Sequence, residues 1–181
     1  VPKIYNYNKS AKLFYYDMEY INGTTLSLYL MSQPISDTKI IINSLLNFIF
    51  DCKKNSKLKY SNYQFLSKIR SLQKNKVFKK KFFKKIFRTL KKHNWNNIEK
   101  SVSHGDLSLE NVIIKEKNIK FIDLSENFVS SYKLDISKLI FDIISSWSFR
   151  NTSLNLDYLK ILLSTLIMNI NTYQRSLYDN Q

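Results

Sequence analysis

Apolar and polar positions fall into short blocks that predict a mixed chain of a few strands and several helices. Lys12 to Tyr20 is rich in Phe and Tyr and reads as a strand. Asn22-Gly23 ends it, and Thr24 or Thr25 stands where a helix from Leu26 needs its cap. After Pro34, Asp37 or Thr38 is expected to cap a helix whose apolar positions Ile41, Leu45, Leu46, Phe48 and Ile49 follow helical spacing. The strongest helical pattern of the middle region is Val77 to Lys92, where Phe78, Phe82, Phe83, Ile86, Phe87 and Leu90 form a stripe among lysines. Val112-Ile113-Ile114 and Ile119 to Ile122 are β-branched runs separated by Lys115 to Asn118, which predicts a β-hairpin. Leu134 to Phe149 reads as a helix through Leu139, Ile140, Ile143 and Trp147, and a last helix is expected from about Leu156 to Tyr173. The expected class is α+β, predominantly α-helical, without internal repeats or a Pro- or Ser-rich linker.

With 181 residues and 44% hydrophobic content, the chain can bury one sizeable core. Its single cysteine, Cys52, excludes an internal disulfide, reads as a small core residue, and fits a reducing, cytoplasmic setting. No apolar run approaches the roughly 18 residues of a spanning helix. The start, Val-Pro-Lys-Ile-Tyr, has neither an initiator Met nor a signal-peptide layout, so a piece of a longer polypeptide is expected.

A net charge of +15 would ordinarily suggest nucleic acid or an anionic membrane as partner. All of the excess lies between Lys53 and Lys100, where Glu99 is the one acidic residue. A chain this rich in Lys, Asn and Ile has the bias of an AT-rich genome, which raises basic charge without a selected partner.

The candidate chemistry lies elsewhere, in Ser103-His104-Gly105-Asp106-Leu107-Ser108-Leu109-Glu110-Asn111 and in Asp123 beyond the hairpin. Phosphoryl transfer from a nucleotide needs an acceptor for the attacking hydroxyl's proton and oxygen ligands for Mg²⁺. A tight loop carrying Asp106 and Asn111, with a hairpin returning Asp123 to it, can provide both. Asp106 is then the base or orienting carboxylate, and Asn111 and Asp123 are the metal ligands. The chain's two glycines, Gly23 and Gly105, both fall at such punctuation points, which excludes a Gly-rich phosphate loop within these residues.

HGDLSLENVII resembles the catalytic loop of the aminoglycoside phosphotransferase and choline kinase group, relatives of the protein kinases, with Gly105 where protein kinases carry Arg. FIDLSE is similar to the group's metal-binding segment, with Leu124 and Ser125 in place of Phe-Gly. LDISKLIFDI resembles the downstream segment whose carboxylate, here Asp135, braces the catalytic loop; as a local reading, Asp135 is also a helix N-cap candidate. MEYINGTTL resembles the hinge between the two lobes of such kinases. The resemblance implies that Glu19 C=O and Ile21 N–H meet the adenine edge. It further implies that Met18 borders the nucleotide pocket, Ile113 lies beneath the base, and Ile122 belongs to the same nucleotide-binding set. His104 and Gly105 support the site structurally.

The implied architecture is a protein-kinase-like C-terminal lobe. Residues 1–23 form the end of the N-terminal lobe and the hinge, 24–181 the helical lobe, and the phosphate-covering strands and lysine lie outside these residues. The implied activity is ATP- or GTP- and Mg-dependent phosphorylation of a hydroxyl on an amino alcohol, sugar or amino sugar, with the fragment alone inactive. Glu126 and Trp147 are candidates for acceptor contacts. The Phe stripe of the basic segment is read as core, so nucleic acid or membrane is not the expected partner. The alternative is a non-catalytic kinase-like module that uses Lys53 to Lys100 to contact RNA, an anionic membrane or a protein.

Overall fold

The computed structural model describes residues 1–10, 14–53, 58–127 and 129–152, together with 164, 167, 168 and 171. The expected last helix falls almost entirely outside these residues, as do the first two residues of the expected Lys12 to Tyr20 strand.

The chain opens as an antiparallel ribbon of β1 (Ile4–Lys9) and β2 (Phe14–Met18), with Tyr7 opposite Tyr16. Strand β1 is exposed along its whole length. Gly23 then passes tightly over a second sheet. A Cβ there would lie 2.6 Å from Ile113 Cγ2 and 2.7 Å from the Ile114 carbonyl oxygen, so glycine is required for the approach. Strand β3 (Thr24–Thr25) follows and pairs with β4 (Val112–Lys115), which pairs in turn with β5 (Asn118–Phe121), all antiparallel. The β4–β5 hairpin turns at Glu116 and Lys117, whose φ values of 51° and 65° give the left-handed pair that matches strand twist.

Helix α1 (Leu26–Ser32) begins where the Thr25 side chain accepts a bond from Leu28 N–H, one of the two caps expected. Helix α2 (Ile35–Asp51) starts earlier than the Asp37 or Thr38 cap implies. Pro34, at φ −59°, takes the N-cap position, and Asp37 falls in the first turn, where its charge meets the positive end of the helix dipole. The α2 face of Ile41, Ile42, Leu45, Leu46, Ile49 and Phe50 is buried.

That face packs with Leu26 and Leu30 of α1, with Leu107, Leu109 and Val112, and with Leu139 and Ile143 of α5 (Tyr132–Ser145) in one core cluster. Each such side chain contributes about 1.5–3 kcal/mol through burial. Cys52 is a half-buried free thiol against this cluster. The core therefore surrounds the Leu107 to Leu109 loop and fixes its apolar residues from below.

The basic middle segment forms α3 (Asn62–Lys74), a 3₁₀ turn at Lys76–Lys79, and α4 (Lys81–Lys92). The single helix expected from Val77 is interrupted at Lys80, which is extended at ψ 148°. Its Phe stripe is not uniformly core. Phe87 is buried, whereas Phe82 is 70% exposed. A smaller cluster of Tyr60, Phe65 and Val129, with Trp95 and Ile98 against it, joins this region to the rest, and Phe65 stacks on Trp95 at 4.6 Å. Among the described residues, no helix is long and apolar enough to cross a membrane. The molecule is a mixed α+β structure with small antiparallel sheets, as the patterning predicts.

Candidate active site

Helix α5 holds the His104 to Leu109 loop at both ends. The buried Asp135 carboxylate accepts bonds from His104 N–H at 2.8 Å and Gly105 N–H at 2.9 Å. Two helical turns further along the same face, the buried Asp142 accepts from Leu109 N–H at 2.7 Å. Asp142 also accepts from Ser148 N–H at 2.8 Å and Ser148 Oγ at 2.6 Å, so the helix end is tied to the same carboxylate. Asp135 lies in the first turn of α5, but the cap itself is Ser131, whose side chain accepts from Lys133 N–H. Burial pushes the Asp135 carboxyl above its ordinary value of 3.8, and the two loop N–H groups and the nearby His104 partly offset this.

Gly105 turns the chain between these anchors at φ +86°, and a Cβ there would overlap the Ser125 carbonyl oxygen. The overlap exists because the segment after Asp123 is bonded back onto the turn. Ser125 N–H donates to His104 O at 3.0 Å, and Asn127 Nδ2 donates to Gly105 O at 2.7 Å. Gly105→Ala combines a left-handed backbone with a clash against main chain, and should cost about 3 kcal/mol or more in denaturant unfolding. A loss under about 0.5 kcal/mol would show that the two segments do not meet this closely.

His104 is buried, and its Nδ1 accepts from Asp106 N–H at 3.3 Å while its ring meets Phe121 edge-on at 5.8 Å. It thus faces the backbone of Asp106 rather than its carboxylate. That carboxylate is half-exposed, and its Oδ1 accepts from Lys138 Nζ at 2.7 Å. Asn111 Nδ2 donates to the Asp106 carbonyl at 2.9 Å, which fixes the amide and turns its Oδ1 to the other side. Asn111 O accepts from Ile122 N–H at 3.1 Å, so the residue before Asp123 is pinned to the loop. Asp123 itself is exposed and held at φ +57°, a left-handed conformation that Asp tolerates better than most residues.

Asp106, Asn111 and Asp123 line one cavity of about 500 Å³, together with Glu110, Lys138, Phe141, Asp142, Trp147 and Arg150. The sequence motif is thereby gathered at one place. Met18, Glu19, Ile21, Ile113 and Ile122 do not line this cavity. Met18 ends β2; Glu19 N–H donates to Lys3 O at 2.8 Å and its Oε2 accepts from Lys3 N–H at 3.1 Å. Ile113 sits in the middle of the sheet between Thr25 and Lys120. The hinge-like segment meets the loop region through Gly23, the β3–β4 pairing, and Leu26, which packs with Leu107 and Leu109 in the core. Of the two acceptor-contact candidates, Trp147 lines the cavity and Glu126 does not. Helix α5 ends at Ser145, and Ser146 in the left-handed region (φ 53°) turns Trp147 off the helix stripe. Arg150 Nη1 bonds both Glu110 oxygens at 3.1 and 3.2 Å, and its guanidinium lies 4.8 Å from the Trp147 ring centre.

Among the described residues, no group of three or more His, Cys, Asp or Glu converges as a metal cage. Mg²⁺ does not require one, since it takes one or two carboxylates and completes its shell with phosphate oxygens and water. The exposed Asp123 carboxylate and the oriented Asn111 amide oxygen are hard donors of that kind. They fit the ion as residues that would hold it.

Sequence reasoning missed Lys138, Asp142 and the Glu110–Arg150 pair. The signal for the first two was present, because Asp135, Lys138 and Asp142 recur at three and four residues along one helix face. Compared with models of known protein families the chain matches none, and no curated protein sequence matches it.

Proposed function

We propose that this chain is the C-terminal lobe of an ATP- or GTP- and Mg-dependent phosphotransferase that phosphorylates the hydroxyl of an amino alcohol, sugar or amino sugar. The single observation that carries this reading is the meeting of Asp106, Asn111 and Asp123 in one cavity, on a loop tied down by Asp135. Residues 1–23 would supply the end of the N-terminal lobe and the hinge. In the reaction, Asp106 takes the acceptor's proton as that oxygen forms its bond to the γ-phosphorus. The bond from phosphorus to the β–γ bridging oxygen breaks, and the nucleoside diphosphate leaves. Asn111 and Asp123 would hold Mg²⁺, which neutralises charge on the phosphate oxygens.

Saturating MgATP or MgGTP should protect the natural-length protein against thermal unfolding, by about 2.7 kcal/mol at a hundredfold excess over Kd. The protection should vanish with EDTA. No protection by either nucleotide, or protection indifferent to Mg²⁺, would refute the reading.

A second reading rests on α4, where the exposed Phe82 shares a surface depression with Lys81, Lys84, Lys85 and Arg88. A binding module would use this face for an anionic surface. Salt-sensitive retention on anionic vesicles or RNA, without nucleotide protection, would favour it.

A further inference from the structure

We infer that Lys138 is a phosphate-contacting residue of this cavity, holding Asp106 with one N–H and presenting the others to the terminal phosphate of a bound nucleoside triphosphate. The inference rests on the phosphotransferase reading and assigns that site a cation.

Two cations line the cavity, and they differ in what already engages them. Arg150 is bonded to both oxygens of Glu110 and to the Trp147 carbonyl, and lies over the Trp147 ring. Lys138 makes its 2.7 Å bond to Asp106 Oδ1 while its side chain remains 42% exposed. A lysine ammonium carries three donors, so one such bond leaves two for an anion entering the cavity.

The position is fixed by the helix. Asp135 and Asp142 bind α5 to the loop on either side of Lys138, so the lysine is presented to Asp106 by a rigid element. A transferring phosphoryl group spreads negative charge over its oxygens, and catalysis of such transfers depends on fixed positive groups at that place. A cation adjacent to the base meets this need without crowding it. Lys138 occupies Oδ1, and Oδ2 is left to receive the acceptor's proton. The Asp106–Lys138 pair is thus the resting form of a contact completed by substrate.

The test compares Lys138→Met and Lys138→Arg with the wild-type natural-length protein, using calorimetric binding of MgATP and MgADP alongside turnover. Lys138→Met should weaken MgATP binding by about 10- to 100-fold, the range for a charge-assisted hydrogen bond. MgADP, which lacks the contacted group, should change by less than about threefold. Lys138→Arg should recover most of the MgATP affinity. Equal weakening of both nucleotides would mean that Lys138 acts only by shaping the loop, and unchanged MgATP affinity would mean no contact; either result overturns the inference. If the wild type binds MgATP and only the discrimination is absent, Lys138 alone is misassigned. If the wild type binds neither nucleotide, the phosphotransferase reading falls and takes this inference with it.

Discussion

Asp106→Asn is expected to reduce phosphoryl transfer by about 10²- to 10⁴-fold, the usual contribution of a positioned general base, while MgATP affinity changes by less than about threefold. An amide has the shape of the carboxylate but cannot take the acceptor's proton. The loop should survive the change, because its anchors are the His104, Gly105 and Leu109 N–H groups and not the Asp106 side chain. What is lost is the charge pairing with Lys138, in a pair whose side chains are 42% and 45% exposed, so little folding energy depends on it. Steady-state transfer of labelled phosphate, run against amino alcohols, sugars and amino sugars, measures the effect. Full activity in this variant would remove Asp106 from the chemistry. A parallel collapse of MgATP binding would instead place it among the nucleotide ligands.

The parts of this site that were legible in the sequence are those whose geometry is set locally. HGD-x4-N, a short turn between β-branched runs, and Asp123 just beyond them lie close along the chain, so the hairpin alone determines that they meet. Thr25 as a cap is also a short-range matter, whereas Gly23, expected at a turn, owes its place to Ile113 and Ile114 about ninety residues away. What α5 does was only half legible. The carboxylate of Asp135 could be matched to the loop, but Lys138 and Asp142 owe their roles to the loop lying across that particular helix face, roughly thirty residues away in sequence. The basic segment shows the converse limit. Helical spacing of Phe78 to Leu90 identifies a stripe, yet spacing does not say what covers it, and Phe82 remains on the surface. Trp147 fits the apolar period of α5, but the left-handed Ser146 ends the helix before it and delivers the ring to the cavity instead.

Asp135→Ala should be the most destabilising single change at the site, by about 3–5 kcal/mol. It leaves two buried backbone N–H groups, of His104 and Gly105, without their acceptor, at about 1–3 kcal/mol each, and it opens a small void beside them. At a few degrees per kcal/mol for a chain of this length, thermal unfolding should shift by about 10 °C. Asp135→Asn keeps the volume and one acceptor oxygen but sets its amide against the second N–H, so an intermediate loss is expected. The Asn variant also isolates the ionisation. Because burial raises the folded-state value above the ordinary 3.8, the folded chain holds this proton more readily than the unfolded one. That contribution to stability is fully present below the ordinary value and is lost as pH rises through the raised one. The stability gap between wild type and Asp135→Asn should therefore narrow over that window and level off above it. Unfolding measured from about pH 4 to pH 7 checks the sign. A gap that widens with pH would show that the loop N–H bonds outweigh burial and hold the carboxylate below its ordinary range.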